Sequence, residues 1–350
     1  MNEKRLLGPV SFVFNHTAFP AHQNIRTGGD IVDSENHIME TIDIAEQSIA
    51  DMSLNLMKIL LKDKTTGKYI LWATDNYKQY GPGYLPNEEI IPELVIGKNT
   101  GIIQPRVSKG QAEQVNRTRN KAEVFTPSWI CNKQNNLIDD AWFGRTGVFN
   151  QTKETNWTVN PEKVLFPNGK KWQEYVDARR LEISCGEAPY LVSRYDTVTG
   201  KKIPIQNRIG LLDRKLRIVN ENTDNEKDWL KWATRAFQST YGFEYQGDNI
   251  LLARENLLIT FINYYEHRFG RKPILVETKK IATIISWNVW QMDGISMTAP
   301  FSEAPPSYQQ ISIFDLFGET EVPTREPMYC RIFDWRANTS LEFKAMRNGG

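Results

Sequence analysis

The stretch from Leu181 to Leu191 constrains this chain most. Leu181 and Ile183 flank Glu182 in a short apolar strand. Ser184, Cys185, Gly186 and Ala188 then gather small residues into a tight turn that is expected to open into a helix. Small side chains let a backbone pass close to a ligand, and the first N–H groups of a helix can face it. A strand, turn and helix of this kind form the nucleotide-binding corner of a doubly wound α/β sheet, where ligands lie beyond the carboxyl ends of the strands. A turn with one glycine is also an ordinary strand–helix connection, so its meaning depends on the surrounding sequence.

Upstream lie Glu123, Val124, Phe125, Thr126 and Pro127. Downstream come Tyr241, Gly242, Phe243 and Glu244, and then Val289, Trp290, Gln291, Met292, Asp293 and Gly294. In this order the segments resemble the S-adenosylmethionine motifs of adenine-specific DNA methyltransferases from restriction-modification systems. The resemblance is to the restriction subunit M-like group of class I S-adenosylmethionine-dependent enzymes and covers residues 115–340. It implies an α/β fold: a Rossmann-like class I methyltransferase sheet with helices on both faces, or its first half. It also implies S-adenosylmethionine as cofactor and double-stranded DNA as partner. Phe125, Thr126 and Pro127 would line the methionine end of the pocket. Glu182, Ser184, Cys185, Gly186 and Glu187 would form its turn. Glu244 would accept hydrogen bonds from a ribose diol, as an acidic strand end does in dinucleotide folds. Asp293 would reach the adenine amino group, while Trp290 walls that pocket or fills the core.

The chain departs from the family pattern in two places. The first motif usually reads Asp-Pro-Pro/Ala/Ser-Cys-Gly-x-Gly; here Glu182 stands for the Asp, Ile183 for the Pro and Ala188 for the second Gly. Catalysis in the family uses Asn/Asp-Pro-Pro-Tyr/Phe, which holds the flipped base's amine against the methyl donor. That tetrapeptide is absent. Ala304, Pro305, Pro306, Ser307 and Tyr308 imitate it without an acceptor side chain or an aromatic at the right place. No catalytic residue is therefore assigned. The segment Tyr329 to Arg336 resembles what precedes the strand leading to the missing motif. The expectation is a chain truncated before its catalytic half, working with a complementary polypeptide or restriction subunit. A sheet cut there would leave its first strand as an unpaired apolar edge.

Composition fits a soluble globular chain: 40% hydrophobic and 24% charged over 350 residues, with a net charge of +1. No apolar run approaches the roughly 20 residues needed to span a bilayer. The three cysteines, Cys131, Cys185 and Cys330, have no CxxC spacing, so neither a disulfide framework nor a metal site is expected. The expected location is cytoplasmic, with no membrane partner. Two domains are expected: residues 1–115, an α+β region of unassigned role, and residues 116–350, the methyltransferase domain.

Several local expectations follow. Ile38 to Leu61 carries apolar residues at helical spacing and reads as one amphipathic helix. Tyr69 to Thr74 reads as a strand. The basic run from Pro105 to Lys121, with Arg106, Lys109, Arg117, Arg119 and Lys121, reads as a phosphate-contacting stretch or as a solvated connector. Thr126 would cap a helix over Ser128–Leu137 with Pro127 at its first position. The segment from Asn150 to Lys171 reads as a surface insertion. Gly186 and Glu244 lie much further apart than the roughly 20 residues of a bare strand–helix–strand step, so helices over 208–219 and 228–237 form an insertion. Asn249 to Tyr265 reads as a further helix.

Two other functions compete. One is a non-catalytic subunit or sensor that binds S-adenosylmethionine, or only a partner as a subunit of a DNA complex. The other is a metal-dependent restriction nuclease built on Glu277-x-Lys279, although Glu277 fits more naturally on a helix running to Trp287.

Overall fold

The structure is a computed structural model describing residues 11–13, 45–110, 113–115, 117–118, 126–302 and 327–347. Strand β1 (Ser11–Val13) is followed by helices α1 (Ala45–Met52) and α2 (Leu54–Leu61). Then come helix α3 (Ser128–Phe143), the hairpin β2 (Asn150–Lys153) and β3 (Asn156–Val159), and helix α4 (Trp172–Asp177). The central part comprises β4 (Arg180–Ile183), α5 (Leu211–Asn222), α6 (Glu226–Gln238), β5 (Thr240–Glu244), α7 (Gly247–Phe269), α8 (Leu275–Asn288) and β6 (Val289–Gln291). A hairpin of β7 (Arg331–Asp334) and β8 (Thr339–Glu342) precedes the short helix α9 (Lys344–Arg347).

The fold is mixed α/β around a parallel sheet. Strand β4 pairs with β5, Glu182 opposite Gly242, and β5 pairs with β6, Phe243 opposite Trp290. Every residue of β5 and β6 is buried, as expected of parallel strands covered on both faces. Alternation sends Leu181, Tyr241, Phe243 and Trp290 to one face, where Cys330 and Ile332 close over them. The segment from Tyr329 onward therefore covers a sheet face. On the other face, α7 and α8 pack against β5 and β6.

The other side of β4 is not bare. Strand β1 lies parallel to it, Val13 opposite Glu182, giving the order β1-β4-β5-β6. This overturns the expected unpaired edge: an N-terminal strand takes the ladder positions that a truncated sheet would leave open.

Residues 45–110 share one core with the rest of the chain. Ile49, Leu56, Leu60, Ile70 and Trp72 belong to the same buried cluster as Phe261, Ile285 and Val289. Burying each such side chain contributes about 1.5–3 kcal/mol. The helix expected over 38–61 is two helices broken at Ser53, whose extended backbone interrupts the helical run; residues 38–44 lie outside the described ones. Buried Arg254 reaches across from α7 and donates to the carbonyls of Leu60 at 2.5 Å and Lys62 at 3.1 Å, satisfying the end of α2. Its guanidinium is pushed down to about 10 by burial.

Tyr69 to Thr74 is not a strand. It makes isolated bridges, Lys62 with Tyr69 and Leu71 with Glu89. Instead of a neighbouring strand, the Gln291 side chain takes the Leu71 N–H at 2.8 Å and donates to the Leu71 carbonyl at 2.8 Å. A side-chain amide can substitute for a strand edge because it carries the same donor and acceptor pair.

The insertion between Gly186 and Glu244 holds α5 and α6 close to where sequence periodicity puts them. Helix α3 runs six residues past its expected end, to Phe143, and Pro127 rather than Thr126 sits at its N-cap. Asn150 to Lys171 begins with the β2–β3 hairpin and continues as irregular chain.

Candidate functional site

The turn after β4 is shaped by left-handed backbone at alternate positions: Ser184 at φ 52°, Gly186 at 51° and Ala188 at 64°. For the two non-glycine residues this costs on the order of 1–3 kcal/mol each, so the surroundings must hold the shape. Cys185 donates its N–H to the Phe243 carbonyl at 2.8 Å, and Ala188 donates to the Cys185 carbonyl at 2.7 Å. Gly186 donates to Oε2 of Glu244 at 2.9 Å.

No helix opens at this turn, contrary to the expectation. A residue at φ 64° cannot continue a right-handed helix, and Pro189 offers no N–H. The next helix is α5, and its first N–H groups are already used. Leu211 donates to the Tyr190 carbonyl at 2.8 Å and Leu212 to the Leu191 carbonyl at 2.9 Å. Asp213 accepts from Gly210 at 3.2 Å and Ser193 at 2.8 Å. Ligand binding by a helix N-terminus is therefore not available at this corner.

A narrow cleft lies against the turn. Cys185, Gly186, Glu187 and Thr126 line it, four of the residues singled out from sequence. Its cavity volume is about 60 Å3, within about 630 Å3 of space free of atoms that includes open solvent. Val107, Pro189 and Val192 give it apolar walls, and Arg106 and Arg194 bring positive charge. Asn249 and Asn256 reach it from α7, being seven residues apart and so on one helix face.

The polar wall is built around Glu187. Its Oε1 accepts the Arg106 backbone N–H at 2.6 Å, and its Oε2 accepts the Tyr195 hydroxyl at 2.6 Å. Burial first, and then the Glu187 charge, push the Tyr195 phenol well above its usual range. Asn256 donates to the Glu187 carbonyl at 3.1 Å and accepts from Arg194 at 3.0 Å.

The remaining expected residues that are described do not line the cleft. Glu244 is buried, and its carboxylate accepts three backbone N–H groups: Gly186 on Oε2, and Tyr245 at 2.8 Å and Gln246 at 3.1 Å on Oε1. A carboxylate offers about four lone-pair sites, so Glu244 keeps room for one more hydrogen bond rather than the two of a ribose diol. Burial raises its pKa against these bonds. Glu182 is fully buried, and its Oε1 accepts the Tyr190 N–H at 3.4 Å beneath the turn. Burial holds its carboxyl well above the usual range, opposed by the Tyr190 and Leu191 amides. It supports the turn from within the protein and does not face the cleft. Asp293 follows β6, at the same sheet end as Glu244, but its Oδ1 accepts from Ile295 at 2.8 Å and Ser296 at 3.2 Å, closing its own turn. Ser184 is exposed on the turn, and Pro127 begins α3. Phe125 and the segment 304–308 lie outside the described residues. Trp290 packs in the core at 5.7 Å from Phe243.

The basic run is neither a solvated connector nor a phosphate-facing stretch at Lys109 and Arg117. Both are buried against Asp248, Lys109 at 3.4 Å and Arg117 at 2.6 Å, with the Tyr77 hydroxyl at 2.8 Å. Burial pushes the Asp248 carboxyl up, but Lys109, Arg117 and Tyr77 outweigh it and hold the group at about 2. Arg106 alone of the described basic residues in the run lines the cleft. Arg119 and Lys121 lie outside the described residues.

Glu277 sits in the first turn of α8, 3.9 Å from Lys280, and not on a strand. Among the described residues no group of His, Cys, Asp and Glu is arranged to hold a metal ion, and no helix is long and apolar enough to cross a membrane.

Comparison of the chain with protein-family models, curated proteins and solved structures gave no match.

Proposed function

We propose that this chain is the S-adenosylmethionine-binding portion of a site-specific DNA adenine methyltransferase from a restriction-modification system. In this reading the parallel sheet is a Rossmann-like class I methyltransferase core in a cytoplasmic protein. Its partners are double-stranded DNA and a complementary polypeptide or restriction subunit. The observation that carries the reading is the joint between Gly186 and Glu244. A small-residue turn and an acidic strand end, from adjacent parallel strands, meet beside a cleft at the carboxyl end of the sheet.

The bound cofactor would supply an electrophilic methyl group. The chain's own residues would bind and orient it. The turn at Gly186 would admit close approach, held by Glu244, and Thr126 and Asn249 would offer polar contacts. Val107 and Val192 would give the ligand apolar walls.

A non-catalytic subunit binding the same cofactor is the second reading, favoured by the absence of Asn-Pro-Pro-Tyr from the sequence. Calorimetry with S-adenosylmethionine, followed by methylation assays on duplex DNA, tests both. Binding with methylation only when a complementary polypeptide is added supports the first. Binding with no transfer under any pairing supports the second. No binding at all removes both.

A further inference from the structure

Arg194 and Tyr195, which line the cleft, also line a second cavity. Its volume is about 450 Å3, within the usual range for pockets that take a small ligand. None of the cofactor-motif residues reaches it.

Two elements build this cavity. Helix α7 contributes Ile259, Asn263 and His267, spaced four apart and therefore on one helix face. Opposite them, the chain from Lys202 to Arg208 follows the bridge between Tyr195 and Lys202 and makes a tight turn at Ile205–Asn207. The Arg208 side chain joins the two walls, donating to the Ile203 carbonyl at 3.3 Å and to the Asn263 side chain at 2.9 Å. Its guanidinium also lies over the Tyr264 ring, 5.8 Å from the centroid. The charge is thus fixed in place by neutral groups. The buried Asp213 carboxyl feels it, but Asp213 accepts from Ser193 and Gly210 and does not line the cavity.

The lining is unequal in charge. Arg194, Lys202 and Arg208 bring three cations against one carboxylate, Glu266, which leaves an excess of two positive charges with His267 neutral. That excess matches a phosphate monoester, which carries about −1.5 to −2 at neutral pH, better than it matches a single carboxylate. The uncharged lining includes Ile203, Ile205 and Ile259. Ile205 and Ile259 pack against the core and are half-buried, so each leaves apolar surface uncovered. A ligand that uses both kinds of wall carries a doubly charged phosphate on a flat, largely apolar body, which is the make-up of a nucleotide.

We propose that this cavity binds a nucleotide, with its phosphate against Arg208 and Lys202 and its base against Ile203, Ile205 and Ile259. The site is independent of the S-adenosylmethionine reading, because among the described residues the cavity shares only Arg194 and Tyr195 with the cleft. A free nucleotide and the 5′-phosphate end of a nucleic-acid strand present the same group.

Calorimetry on the full-length protein compares AMP, GMP, CMP and UMP with their nucleosides and with a short single strand carrying a 5′-phosphate. At least one monophosphate is expected to bind about tenfold or more tightly than its nucleoside, the size of one charge-assisted pair. Tighter binding of the strand than of that nucleotide identifies a strand end as the ligand, and weaker binding identifies the free nucleotide. Arg208→Met should weaken nucleotide binding about tenfold or more. Lys202→Glu, at an exposed position, should weaken it about fivefold with an unchanged melting temperature. Glu266→Gln, also exposed, should tighten it about twofold to fivefold, a gain that misfolding cannot imitate. No preference for any monophosphate over its nucleoside would overturn the proposal, whether or not S-adenosylmethionine binds. So would wild-type affinity in both Arg208→Met and Lys202→Glu.

Discussion

The backbone N–H of Gly186 points at the carboxylate of Glu244, 2.9 Å away, and this bond ties the turn after β4 to the end of β5. Because Tyr245 and Gln246 donate to the other oxygen, one side chain organises three amides from two strands' ends.

Glu244→Gln keeps the shape but turns one acceptor into a donor facing an N–H. Leaving a buried amide unsatisfied costs about 1–3 kcal/mol. Urea unfolding should show a lower midpoint at unchanged slope. Weaker binding of S-adenosylmethionine should accompany it; full stability would mean that the three amides do not depend on this carboxylate.

Glu46 on α1 and Glu255 on α7 are both buried, and among the described residues no other side chain or neighbouring backbone group hydrogen-bonds to their four carboxyl oxygens. Burial raises Glu46 from 4.5 to about 7, and Glu255 is raised as well. Groups raised in the folded state favour folding fully below their unfolded pKa and lose that contribution as pH climbs through the folded value. The melting temperature should therefore fall between about pH 4.5 and 7 on account of Glu46, with Glu255 acting in the same direction. The double variant Glu46→Gln, Glu255→Gln should flatten that slope and melt higher than wild type at pH 8. Parallel melting profiles for the two proteins would count against buried, protonated carboxyls.

Asp248 is shared by two buried cations, so Asp248→Asn removes the carboxylate common to Lys109 and Arg117, while Arg117 keeps Glu113 at 4.0 Å. Removing one partner of a buried ion pair costs about 3–5 kcal/mol. The wild-type group lies below its ordinary 3.8, at about 2, so its contribution is present above 3.8 and lost as pH falls toward 2. The difference between variant and wild type, measured by chemical denaturation, should shrink across that acid window. A gap that persists unchanged at pH 2 would place the effect elsewhere.

Gly247 begins α7 where a Cβ would lie 2.0 Å from the Leu71 carbonyl oxygen. That obstacle is backbone held by Gln291, so it cannot rotate away. Gly247→Ala should cost about 1–3 kcal/mol or more, as overpacking against fixed atoms does. A wild-type melting temperature in the variant would show that the Leu71 segment yields freely.

Local pattern made the central sheet and its helices legible. The runs at 181–183, 241–244 and 289–291 are short and apolar, and α5 to α8 carry their spacing openly. What sequence did not reveal depends on partners far away. From sequence the turn at Gly186 suits a helix entry, because small residues fit both cases, whereas Pro189 and the left-handed Ala188 prevent it. Lys109 and Arg117 looked like surface charge because nothing local announces Asp248 as their counterion. Arg194 and Tyr195 carry no motif, and only the folded turn brings them to the cleft. Asn249 and Asn256 were the signal within reach: two amides on one helix face, directly after Glu244.

The clasp between Leu71 and Gln291 also bears on how the chain is made. During translation Leu71 leaves the ribosome long before residue 291 exists, as do Leu60 and Lys62 relative to Arg254. The early helices must therefore wait, with their apolar faces uncovered, for groups synthesised last. Such nascent surfaces are natural clients of chaperones, and native structure in this region is completed only after Gln291 emerges.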